Sequence, residues 1–93
     1  MRTRDLFATL RDRVRPLLAH PAGVVESWNG NADPVWRRGE AWVRVEAVTK
    51  LQVRLVAGSG GTTTVERVQA ADDLDALVRD VAALVDASAA VAP

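Results

Sequence analysis

Polar and apolar residues alternate along the middle of this chain, from Ala41 to Ala57. The odd positions are mostly apolar, whereas the even positions mix charged residues such as Arg44 and Arg54 with apolar ones. An alternation with period two is typical of a β-strand that buries one face. The phase never changes, although a two-residue hairpin turn would shift it. The pattern therefore predicts either one strand of seventeen residues or a hairpin with a three-residue loop near Val48-Thr49-Lys50.

A strand of this length would be longer than the domain that carries it. At about 3.3 Å per residue it would span roughly 56 Å. A compact domain of this size has a radius of gyration near about 12 Å and a diameter of roughly 30 Å. We therefore expect the segment to bend over the core at a bulge, or to project as an arm that another molecule covers.

Shorter strand patterns lie on both sides of this segment. Residues 24–28 predict a short strand, residues 29–34 a loop rich in turn-forming residues, and a further strand begins near Val35. The sequence Gly58-Ser59-Gly60-Gly61 predicts a turn, after which the β-branched residues 62–68 return as a partner strand.

Helical periodicity occupies the two ends of the chain. Helix one is predicted from about Arg4, and Pro16 predicts that it kinks or stops there. Helix two is predicted from about Asp73 to Ala87, with aspartates at its start that favour the positive end of the helix dipole. Residues 88–93 are predicted to fray.

The order of these elements is α-β-β-β-β-α within a single domain, residues 1–93. The predicted fold class is α+β: an N-terminal helix, an antiparallel meander of about four strands with a long β-hairpin, and a C-terminal amphipathic helix. A chain of 93 residues buries a thin core, so it gains from any partner that covers apolar surface.

Composition limits the class of protein. The chain has no cysteine, which excludes disulfides and thiolate metal sites. No apolar run reaches the length of a membrane span, and charged residues interrupt the start of the chain, unlike a secretory signal. We therefore expect an intracellular protein that is neither held in a membrane nor secreted by a signal peptide.

Charge is distributed unevenly although the net charge is zero. Residues 1–20 carry five arginines and two aspartates, whereas residues 71–93 carry one arginine and five aspartates. Segments of opposite charge attract each other, either within one subunit or between neighbouring subunits. The arginines near the start lack interleaved aromatic residues and the domain is neutral, so nucleic-acid binding is not predicted.

Candidate catalytic and binding motifs are incomplete. His20, the only histidine, precedes Pro21 and ends a helix, so a Ser-His-Asp triad is not predicted. The glycine-rich segment 58–63 lacks the lysine of a phosphate loop and leads into a strand. Asn29, Asn31, Asp33 and Glu40 have a calcium-loop spacing, but Pro34 occupies the position that needs glycine. The sequence therefore predicts no catalytic residues, no metal site and no cofactor.

Tryptophan is the residue type that stands out. The chain has three tryptophans and only one other aromatic residue, Phe7. Interface centres favour tryptophan and arginine, and Trp42 shares the mixed face of the alternating segment with apolar residues. The alternative is that bends bring the tryptophans into a small second core beneath helix one. The predicted interface residues are Trp28, Trp36, Trp42, Arg44, Val48, Arg54 and Val56.

The run VRVEAVTKLQVRLVAG, followed by a polar loop and DDLDALVRDVAALVDA, resembles the layout of the tail-terminator or tail-completion (neck) proteins of long-tailed bacteriophages. In that family a small α/β subunit forms a ring, usually of six copies, that caps the tail tube and joins it to the head connector. The resemblance implies a non-enzymatic assembly subunit located in the virion or the host cytoplasm. Its partners would be its own copies and other tail or connector proteins, and the resemblance assigns no site residues.

The residues also permit a function of another class. An exposed strand edge can capture a segment of another protein by adding a strand to the sheet. A small protein-binding or inhibitor module of this kind is the alternative to ring assembly.

Overall fold

The computed structural model describes residues 3–30 and 33–90 of this protein. Its helices and strands follow one another along the chain, and a short 3₁₀ turn, Arg15–Leu17 or Ser88–Ala90, follows each helix. The elements are α1 (Thr3–Val14), β1 (Val25–Trp28), β2 (Pro34–Arg38), β3 (Ala41–Thr49), β4 (Gln52–Ser59), β5 (Thr62–Ala70) and α2 (Leu74–Ala87). The α+β class is confirmed, with five strands in place of about four. Residues 91–93 of the predicted frayed tail, and Asn31, lie outside the described residues.

The helices begin and end where their sequences favour it. Pro16 lies in the 3₁₀ turn that ends the first helical segment, since proline lacks the N–H that the next helical turn needs. The Asp73 side chain caps α2 by accepting a hydrogen bond from the Ala76 N–H at 3.0 Å. Among the described residues, no helix has both the length and the hydrophobicity that crossing a membrane requires.

The five strands form one antiparallel meander in the order β1-β2-β3-β4-β5. Both helices pack on the same face of this sheet, and the core lies between the helices and the sheet. The core combines residues of both helices with Trp36 of β2 and the odd-numbered residues of β3 and β4. Its members are Phe7, Leu10, Val14, Trp36, Val43, Val45, Val53, Leu55, Ala57, Leu77, Val78, Val81, Ala82 and Val85.

The segment 41–57 forms a hairpin, and its turn differs from both predicted alternatives. The turn consists of Lys50 and Leu51, with Thr49 opposite Gln52. One step further along, Ala47 lies opposite Val53, so Val48 has no opposite residue and forms a β-bulge. The two-residue turn shifts the phase of the alternation by one residue, and the bulge shifts it back. The unbroken alternation therefore results from two shifts that cancel.

This hairpin removes the predicted mismatch between strand length and domain size. The longest dimension of the described structure is 37 Å and its radius of gyration is 12.1 Å. Because β3 and β4 have nine and eight residues, they fit within the sheet and do not project as an arm. Of the two expected alternatives, the projecting arm covered by another molecule was wrong, so strand length gives no support to assembly.

The opposite charges of the two ends meet within the subunit. Arg13 on α1 forms an ion pair with Asp75 on α2. The Asp86 carboxylate accepts hydrogen bonds from the Ala19 N–H at 3.0 Å and the His20 N–H at 2.9 Å. Burial alone would raise the pKa of Asp86, but these hydrogen bonds outweigh it and hold the pKa below its ordinary value. Part of the charge asymmetry therefore joins α2 to the chain around α1.

Two leucines of the same hairpin should differ strongly in their contribution to stability. Leu55 is 0% exposed in the core, whereas Leu51 in the turn is 68% exposed. We expect Leu55→Ala to lower the free energy of unfolding by about 2–5 kcal/mol, because it removes buried methyl groups and leaves a cavity. Leu51→Ala, the matched control, should change it by less than about 0.5 kcal/mol. Urea denaturation followed by tryptophan fluorescence measures both values, and equal losses would contradict this packing.

Candidate interaction surface

The face of the sheet opposite the helices is covered by no helix or strand of the described chain. Residues directly opposite each other on neighbouring strands share a face, and Val35, Arg44, Val56 and Glu66 are opposite one another in that order across β2 to β5. We call this surface the open face. On β2 to β5 it includes Val35, Arg37, Trp42, Arg44, Glu46, Arg54, Val56, Glu66 and Val68.

Charged side chains of alternating sign cross the open face. Arg44 Nε lies 2.8 Å from Glu46 Oε2, and a guanidinium nitrogen of Arg54 lies 3.4 Å from Glu46 Oε1. On its other side Arg54 Nε lies 3.7 Å from Glu66 Oε1. We call these four residues the charge ladder. Partly exposed ion pairs add about 0–1 kcal/mol each, so the ladder orients side chains more than it stabilises the fold.

An apolar layer lies beneath these charged groups. Val35 is 5% exposed and Val56 is 4% exposed, yet neither belongs to the main core. The aliphatic stems of arginines cover apolar surface while their charged ends stay in water. Arg44 lies opposite both valines, so its stem is placed to shield them. Val56 therefore becomes accessible to a partner only if the side chains above it move.

Trp42 is held in one orientation on the open face. Its indole Nε1–H donates a hydrogen bond to the Gly60 carbonyl oxygen at 2.9 Å. The indole lies over Gly58, which is opposite Trp42 on β4, and a Cβ at Gly58 would lie 2.8 Å from Trp42 Cζ2. The Arg44 guanidinium lies 5.3 Å from the ring centroid. Trp42 remains half-buried, so part of the ring faces solvent.

The other two tryptophans lie on the helix side of the sheet. Trp36 is 1% exposed in the main core, so we withdraw it from the predicted interface. Its indole Nε1–H is buried with no acceptor among the described residues. Trp28 is exposed on the edge strand β1, where the Arg11 guanidinium lies 4.5 Å from its ring centroid. Trp36 is therefore a core residue, but it lies in the main core and not in a separate second core.

The structure brings together four of the seven predicted interface residues: Trp42, Arg44, Arg54 and Val56. Val48 lies apart at the bulge, near the hairpin turn. The sequence prediction missed Val35, Arg37, Glu46, Glu66 and Val68. The even-position pattern pointed to Glu46, but assigning the other four to the open face requires the pairing of β2 and β5.

A second charged cluster on the helix side holds β1 to α1. The Glu26 carboxylate accepts a hydrogen bond from Arg11 Nε at 3.1 Å and another from Arg15. Burial alone raises the pKa of Glu26, but the hydrogen bonds from Arg15 and Arg11 outweigh it, so the pKa lies below its ordinary value. This cluster has a structural role, since it joins the edge strand to the helix layer.

No group of three His, Cys, Asp or Glu side chains within residues 3–30 and 33–90 is arranged to hold a metal ion. Comparison with protein-family models, with curated proteins and with solved structures finds no match to this chain.

Gly58 should be required for the position of Trp42. In Gly58→Ala the new methyl group would collide with the Trp42 ring and with the Thr62 carbonyl oxygen. We expect a loss of about 1–3 kcal/mol in the free energy of unfolding and a shifted Trp42 indole N–H signal in NMR spectra. Gly61→Ala is the matched control, because no atom lies within 4 Å of its added Cβ. An unchanged indole signal in Gly58→Ala would contradict the close contact.

The Glu26 cluster should make stability depend on pH. A carboxyl group whose pKa is lowered by folding stabilises the protein above its unfolded pKa, about 4.3 for Glu. That stabilisation is lost as the pH falls through the folded pKa. We expect Glu26→Gln to be less stable than the wild type at neutral pH, with a difference that shrinks below about pH 4.

Urea denaturation at a series of pH values measures this difference. The control is the same Glu26→Gln substitution in an Arg11→Gln/Arg15→Gln background, where the cations that lower the pKa are gone. The pH-dependent part of the difference should disappear there. A wild-type difference that stays constant down to pH 3 would contradict the role of these ion pairs.

Proposed function

We propose that this chain is a non-enzymatic assembly subunit that binds protein chains, its own copies among them, through the open face of its sheet. The type of protein that we propose is a bacteriophage neck or tail ring protein, similar to a tail terminator, which oligomerises and joins or caps the tail tube. Its partners are then further copies of itself and other tail or connector proteins of the virion.

The observation that carries the proposal is the composition of the open face. Trp42 lies opposite Arg37 and two residues before Arg44, and Val35 and Val56 lie opposite Arg44, on a surface that no helix of the described chain covers. Tryptophan and arginine are the residues that dominate the centres of protein interfaces. Trp42 is already held by Gly60 and Gly58, so little side-chain freedom is lost when a partner covers it.

The charged groups of the open face suit binding better than catalysis. The carboxylates of Glu46 and Glu66 are both engaged by Arg54, and they lie on the surface of the sheet. A general acid or base needs a carboxyl group that reaches a substrate proton in a shielded site. A ladder of alternating charges instead orients a protein partner and selects against partners of the wrong charge pattern.

A closed ring requires two different contact surfaces on each subunit, because each copy meets one neighbour on either side. The open face supplies one such surface. The exposed edge of β5 supplies another, since this strand of nine residues ends the sheet. A ring of these subunits would therefore form through these two surfaces, without a projecting strand.

The β5 edge also favours the second candidate function, a small protein-binding or inhibitor module. A strand at the edge of a sheet has a row of unpaired N–H and C=O groups that can pair with an extended segment of another protein. β5 contains no proline, and most of its side chains are exposed. A monomer that binds one partner through this edge would have this second function.

Light scattering on the purified protein, over a wide range of concentrations, tests the assembly proposal. We expect a multimer, or a mass that rises with concentration. Trp42→Glu and Val68→Glu should lower the mass, because each places a charge on the open face. Val68→Glu keeps the test valid if Trp42→Glu unfolds, since Val68 is 48% exposed.

Leu17→Glu is the matched control for this experiment. Leu17 is 51% exposed and lies in the 3₁₀ turn after α1, away from the open face. Its substitution should leave the mass unchanged. A wild type that stays monomeric at every concentration would contradict self-assembly and favour the strand-edge module.

A further inference from the structure

We propose that the open face holds a binding site for a carboxylate on an acidic peptide segment of a partner protein, between Arg37 and Arg44 and beside Trp42. This inference rests on the proposed function, and it adds the chemistry of the partner. The side chain that is bound is a Glu or Asp of the partner.

A groove of about 270 Å³ lies at this place on the open face. Its lining residues are Asn29, Val35, Arg37, Trp42, Arg44 and Gly60. Arg37 lies opposite Trp42, and Val35 lies opposite Arg44, so the two arginines occupy diagonal positions on β2 and β3. Diagonal neighbours are about 7–8 Å apart at the backbone, a distance from which two long side chains can reach one small group.

None of the residues that line this groove is acidic. The charge ladder alternates from Arg44 through Glu46 and Arg54 to Glu66. Arg37 continues the row beyond Arg44, and its guanidinium has no hydrogen bond and no ion pair with the described residues. A carboxylate between Arg37 and Arg44 would complete the alternation.

Arg44 itself has an unused donor. Its Nε lies 2.8 Å from Glu46 Oε2, but the Nε–H is buried and has no acceptor in hydrogen-bonding geometry among the described residues. The short distance therefore reflects attraction between the charges, and the angle leaves the N–H unsatisfied. A buried unsatisfied donor is unfavourable, so an acceptor that reoriented this guanidinium would be favoured.

The groove suits a single carboxylate on a short apolar stem. Guanidinium groups bind carboxylates through paired, charge-assisted hydrogen bonds. Val35 and the Trp42 ring supply apolar walls for the methylene groups of a Glu or Asp side chain. A nucleic acid needs a continuous basic surface, whereas Glu46 and Glu66 would repel its successive phosphates.

Titration with a capped peptide, acetyl-Ala-Glu-Ala-amide, tests the site in ¹⁵N NMR spectra of the full chain. The indole N–H of Trp42 reports on the groove, and its signal is assigned with Trp42→Phe. We expect a saturable shift of this signal that weakens as salt is added. The matched peptide acetyl-Ala-Gln-Ala-amide should bind much more weakly.

Substitutions identify the arginines that are involved. We expect Arg37→Gln and Arg44→Gln each to weaken binding of the Glu peptide by roughly tenfold, as the loss of one charged hydrogen bond implies. Arg79→Gln, an exposed arginine of α2, is the control and should leave binding unchanged. Equal binding of both peptides, or tighter binding of inorganic phosphate at the same two arginines, would overturn the inference.

Light scattering on the same samples separates this inference from the proposed function. A multimer that binds no peptide would refute the carboxylate site and leave assembly standing. A monomer that binds the Glu peptide in the groove would establish the site and refute self-assembly.

Discussion

The pairing register of β3 and β4 is the constraint on which the rest of this structure depends. It places odd-numbered residues such as Val45 and Leu55 opposite one another under the helices, and even-numbered residues such as Arg44 and Val56 on the other face. A slip of one residue would exchange the two faces of a strand and put charged groups into the core. The bulge at Val48 maintains the correct register despite the two-residue turn, so one unpaired residue determines which side chains reach the open face.

Sequence periodicity predicted the division into two faces, because the phase of the alternation continues through the hairpin. It could not locate the turn, since the shift at Lys50-Leu51 and the shift at Val48 cancel and leave no trace in the pattern. The burial of Trp36 also could not be predicted from the local sequence pattern. Whether a tryptophan is buried depends on which face of β2 meets the helices, and that is decided by pairing with β3. The α+β order and the α2 boundaries were predictable because the helical periodicity and the Asp73 cap are local signals.

The described part of this chain has two α-helices to cover a five-stranded sheet, and both lie on the same side. Antiparallel sheets tolerate one solvated face if polar side chains cover it. Val35 and Val56 are buried although no helix of the described chain lies above them. Arg44 lies opposite both valines, so its aliphatic stem is placed to cover them in the way that a helix covers the other face. Such a cover is held by weak ion pairs, and a partner can rearrange it without unfolding the domain beneath.

Under the proposed function, the charge ladder acts on partner choice more than on folding. Its ion pairs are partly exposed and stabilise the fold by little, but each one fixes where a positive or negative group points on the surface. A partner that approaches this pattern in the wrong orientation brings like charges together, which disfavours that orientation. Arg37 breaks the balance of the row, because it adds a positive charge that no carboxylate of the described chain meets. The unmatched charge lies beside Trp42, whose indole is hydrogen-bonded to Gly60 and partly exposed. The position where a partner can supply a negative group is therefore adjacent to the position where it can cover apolar surface.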